Sequence, residues 1–147
     1  MLKVALGWGA AVVATTVLGS FIQTQANLAA IARIYQPVSF GDRIGTTVFD
    51  LASFGPTWGL IVALGFLVAF LVAGGLARRW PRHRVWLFPL AGFTAVVTAL
   101  LIIDAMLPIT LIAAARSVTG QLLLSLAGAV GGWVYLQVVP QRQNGRI

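Results

Sequence analysis

The 147-residue chain contains no cysteine and no glutamate, and His83 is its one histidine. Each shortage removes a class of chemistry. Without cysteine there is no disulfide exchange, no thiolate nucleophile and no cysteine-ligated metal. A single histidine excludes bis-histidine haem ligation within one chain and leaves no ligand set for a histidine-based zinc or copper centre. The expectation is therefore no cofactor and no metal.

The carboxylates are Asp42, Asp50 and Asp104. Asp42 and Asp50 lie eight positions apart, about 12 Å along a helix. That is wide for a paired-carboxylate glycosidase, and no nucleophile lies nearby, so both are expected to be solvated helix-surface charges. The chain holds no Gly-rich phosphate loop, nucleophile elbow or His-Glu metal motif. No catalytic residue is assigned.

Charge is scarce too. Charged residues make up 9% and hydrophobic ones 59%, with a mean hydropathy of +0.94, against roughly 25% charged in soluble domains. A water-soluble fold of this composition would expose large apolar patches, so lipid is the expected solvent. The formal charge of +7 does not imply nucleic acid, because no polar domain is present to bind it.

What the chain does have is an arginine cluster between two apolar runs. Arg78–Arg84 reads Arg-Arg-Trp-Pro-Arg-His-Arg, four of the ten basic residues in seven positions. Short basic loops stay on the cytoplasmic side, so this turn is expected to face the cytoplasm. Its residues Arg78, Arg79, Arg82, His83 and Arg84 are candidates for contact with anionic lipid headgroups.

Apolar runs on either side give expected spans of about 4–23, 56–77, 85–107 and 117–139. The first run has a secretory leader as its rival reading, but it is longer than a leader's ~7–15 apolar residues. With no proline before Pro37, that helix can continue to Arg33. Trp58 and Trp80 are expected at opposite interfaces. Lys3, the arginine turn, Arg142 and Arg146 then place both termini in the cytoplasm of an inner-membrane, multi-pass protein.

Between the first two spans, Ser39-Phe-Gly-Asp42 has the form of a capping box. Phe40, Ile44, Val48 and Leu51 share one face of the helix it opens, and Arg43, Thr46, Thr47 and Asp50 lie largely on the other. An amphipathic helix in the outer interface is expected, with Asp50 toward water. The fold class is thus an all-α integral membrane protein, four transmembrane helices with an outer amphipathic interfacial helix, in one domain over 1–147. In outline it resembles the quinone-linked disulfide-forming membrane proteins. Their activity needs cysteines, so the resemblance carries no function here.

Three residue sets carry the functional expectations. Asp104 and Arg116 flank Pro108 and form a candidate intramembrane polar pair. Ser117, Gln121, Ser125, Gly128 and Gly132 form a stripe of small and weakly polar residues on the last span. Thr16, Ser20, Gln23 and Asn27 form another on the first. Such stripes let helices approach closely, within the chain or against a partner. The last span's stripe is expected against the first helix.

The function expected is that of an accessory or assembly subunit, or a self-associating bundle. Membrane lipids and either a protein partner or further copies of the chain are the implied partners. A small oligomeric transporter, with Asp104, Arg116, Gln121 and the Thr16–Asn27 stripe lining a polar route, is the alternative, and a lipid or isoprenoid enzyme the third.

Overall fold

A computed structural model describes residues 1–32, 39–106 and 113–140, with all their regular elements helical. They are α1 (Leu2–Ala32), α2 (Phe40–Ser53), α3 (Gly55–Arg79), α4 (Arg84–Met106) and α5 (Val118–Val138), with 3-10 turns at Pro81–His83 and Ala113–Arg116. Helices α1, α3, α4 and α5 are long and apolar enough to cross a membrane. They pack as a ring in the order α1, α3, α4, α5, with α2 laid outside against α1 and α3.

Local chemistry sets the boundaries. Ser39 caps α2, its Oγ accepting from the Asp42 amide at 3.2 Å and donating to Asp42 Oδ2 at 2.6 Å. Phe54 ends α2 and begins α3, and Pro56 follows in the first turn of α3, where its missing N–H costs nothing. Ser117 caps α5 by accepting from the Gly120 amide at 3.1 Å. Its place in the small-residue stripe is therefore a helix start.

The 31 residues of α1 span ~46 Å at about 1.5 Å per residue. That exceeds ~30 Å of hydrocarbon, and α2 packs beside the extra turns.

Two expected faces are corrected, those of α5 and α2. Trp58, in the first turn of α3, is fully buried, stacked on Phe54 at 5.9 Å and lying over Gly19 of α1. Only a glycine there leaves room for the indole. Gly128 and Gly132 meet α4 instead of α1. A Cβ on Gly128 would strike the Gly92 carbonyl, and one on Gly132 the Phe88 carbonyl. It is Gly131 that faces α1, at Thr15 and Ala11. Lastly, Asp50 of α2 is turned toward the bundle, because α2 lays its polar face on α1 and its apolar face outward. Phe40 is 79% exposed and Phe49 70%.

Beyond the glycine contacts the core is aromatic. Phe70 stacks on Phe66 at 4.7 Å and meets Phe88 edge-on at 5.5 Å. Tyr135 stacks on Phe88 at 4.6 Å and tilts against Phe70 at 4.9 Å. Val96 and Leu124 continue the buried interior.

Candidate functional site

The two ends of the ring differ in their charged residues, with Arg43 and Arg116 sharing one end with the aspartates. All three aspartates lie at one end, two on α2 and one in the last turn of α4. Arg78, Arg79, Arg82 and Arg84 lie at the other, together with the start of α1, whose Gly7 touches Tyr135 and Val139.

At the aspartate end, α2 is held to α1 by polar contacts. Thr24 Oγ1 lies 2.8 Å from Asp50 Oδ2 and 2.9 Å from the Ser20 carbonyl oxygen. One hydroxyl proton thus serves two acceptors. At the next residue of α1, Gln25 Oε1 accepts from Arg43 Nη1 at 3.2 Å. Helical spacing explains the match: Asp50 and Arg43, seven apart, share one face of α2.

The segment before α5 is tied down at the same end. Gln23 Oε1 accepts from the Ala114 amide at 2.9 Å, and Gln121 Nε2 donates to the Ala115 carbonyl at 2.9 Å. Ala114 is buried, so the 3-10 turn Ala113–Arg116 docks against α1 and α5. Pro108 lies outside the described residues, at 107–112. Asp104 and Arg116 are both exposed and belong to this end.

Of the stripe on α1, Ser20 is buried and Thr16, Gln23 and Asn27 are half-buried. Of that on α5, Ser125 is buried and donates to the Gln121 carbonyl at 2.7 Å. The two helices are linked by Thr15, whose hydroxyl donates to the Ala127 carbonyl at 3.2 Å. Among the described residues, the buried polar atoms Trp8 Nε1, Thr16 Oγ1, Ser20 Oγ and Trp58 Nε1 have no hydrogen-bond partner. The last three belong to the contact of α1 with α3, where Gly55 and Gly59 sit beside Thr16.

At the opposite end the five turn residues divide. Arg78, Arg79, Arg82 and His83 are exposed. Arg84 is half-buried: Nη2 donates to the Val139 carbonyl beyond α5, and the guanidinium lies 5.5 Å from the centre of the Phe88 ring. It closes the aromatic cluster from outside and satisfies a helix-end carbonyl. Beside the turn, Trp80, His83, Trp86, Leu87 and Leu90 line an open groove of about 340 Å³.

No group of three potential metal-binding side chains occurs among the described residues. Sequence reasoning missed Asp50, Gly92 and the inward turn of Arg84. The available signal for Asp50 was a polar face on α2 opposite Gln25 and Thr24 on an overlong α1. For Gly92 and Arg84 no local signal existed, since each is defined by a distant carbonyl. No family model, curated protein or solved structure matches the chain.

Proposed function

We propose that the protein is a multi-pass inner-membrane protein with both termini cytoplasmic, acting without catalytic chemistry as an accessory or assembly subunit of a membrane complex. The supporting observation is an interior filled by its own side chains, combined with an apolar exterior. Phe66, Phe70, Phe88 and Tyr135 occupy one half of the ring, and the Gly92–Gly128 contact closes the middle. Leu60, Leu64, Leu67, Val68 and Leu71 of α3 point outward. Lipid or another apolar surface is the environment that tolerates this exterior. Four arginines concentrated in the short turn between α3 and α4 support a cytoplasmic placement of that turn.

Native purification in mild detergent, followed by mass spectrometry of associated proteins, tests the role. Co-purification with a larger assembly is expected, and a lone monomer would overturn it. Orientation is tested separately through Gly45→Cys on the exposed side of α2, in a chain free of other cysteines. Labelling from the outer face is expected. Labelling only from the cytoplasmic face would invert the topology.

A small oligomeric transporter is the second reading, supported by the unpartnered Thr16, Ser20 and Trp58 atoms along α1 and α3. Ion flux in proteoliposomes, lost on Thr16→Val with Ser20→Ala, would favour it.

A further inference from the structure

We propose that the groove beside the arginine turn seats one anionic phospholipid. Its phosphate rests on Arg82 and His83, and an acyl chain lies along Leu87 and Leu90. The assignment rests on the membrane reading above and names a ligand for one place in it.

The groove follows from how the chain turns. Pro81 stops α3, whose last N–H bond is Trp80 to the Leu76 carbonyl, and a three-residue 3-10 turn leads into α4. So short a connection leaves Trp80 and Trp86 on either side of one depression, 51% and 75% exposed. Its walls are indole and leucine, with His83 the one titratable group lining it. Indoles of this kind settle where hydrocarbon meets headgroups. A free phosphate would use the rim and leave the leucines bare, whereas a lipid covers both.

Charge complementarity gives the sign of the headgroup. Arg78, Arg79 and Arg82 stand exposed around the turn. All three aspartates lie at the far end of the ring, so no acidic side chain at this end competes for them. Arg84 is already committed to the Val139 carbonyl and the Phe88 ring. The exposed cations are therefore available to an external anion, and guanidinium matches phosphate in geometry.

The test uses the full chain, first mixed with vesicles of phosphatidylcholine and phosphatidylglycerol, then solubilised for native mass spectrometry with both lipids at equal concentration. One phosphatidylglycerol should be retained in preference to phosphatidylcholine. Arg82→Gln should weaken that preference about fivefold, the effect of one cation near an anionic surface. Leu90→Trp keeps the charge and fills the groove from a side chain that is already 59% exposed, so folding should survive and the preference should vanish. An unchanged preference in Leu90→Trp would mean diffuse attraction and overturn the site. Equal retention of the two lipids by the unaltered chain would overturn it as well. Failure to incorporate into vesicles at all would instead remove the membrane reading, and the site with it.

Discussion

The hydroxyl of Thr24 on α1 lies between two acceptors, Asp50 Oδ2 on α2 at 2.8 Å and the carbonyl of Ser20 at 2.9 Å. Its single proton cannot fully satisfy both. Asp50→Asn would supply a donor of its own to Thr24 Oγ1 and free the Thr24 proton for Ser20, so this variant should keep α2 docked. Asp50→Ala removes the acceptor and should cost about 1.5–3 kcal/mol, the scale of a hydrogen bond to a charged group. Denaturant unfolding in detergent of Asp50→Asn, Asp50→Ala and Thr24→Val checks the order. An asparagine variant as weak as the alanine would mean the contact contributes through charge alone.

Helices α4 and α5 approach closely at Gly92 and Gly128, each of which would drive a Cβ into the other's carbonyl. Gly128→Ala should lower the unfolding midpoint strongly, since backbone and not a flexible side chain must yield. Gly75 is the internal control: a Cβ there meets nothing within 4 Å. Gly75→Ala should be neutral or stabilising by up to about 1 kcal/mol, the helix-propensity gain over glycine. Equal effects at both positions would deny the close α4–α5 contact.

Arg84 joins the start of α4 to the end of α5 through the Val139 carbonyl, with its guanidinium also over the Phe88 ring of its own helix. Arg84→Gln should destabilise by about 2 kcal/mol, within the range for a charge-assisted hydrogen bond plus a ring contact. Arg84→Lys should recover part of it, keeping the charge but losing the planar fork. If glutamine and lysine behave alike, the cation is not what holds the two ends together.

Asp104 and Arg116 are both exposed at the aspartate end. If they are coupled, their interaction should be near the ~0–1 kcal/mol of exposed ion pairs. A double-mutant cycle with Asp104→Asn and Arg116→Gln measures it. Strict additivity would show that the two do not interact. Intact stability with loss of an ion-dependent flux would move Asp104 to the transporter reading.

Sequence by itself determined which segments are long apolar helices and where they begin. Run length, Ser39, Pro56 and the arginine turn are local properties, and the helix bounds follow them within a few residues. Only the tertiary structure decided which faces meet. Helices apolar on nearly every side have no strong hydrophobic stripe to mark the buried one, so close packing of small residues selects it. Thus Trp58 could go inward over Gly19, and Gly128 could choose Gly92 over α1. In α2 the stripe was legible, but an apolar exterior reverses its meaning. The polar face of α2 turns inward onto α1, and Asp50 finds Thr24 instead of water.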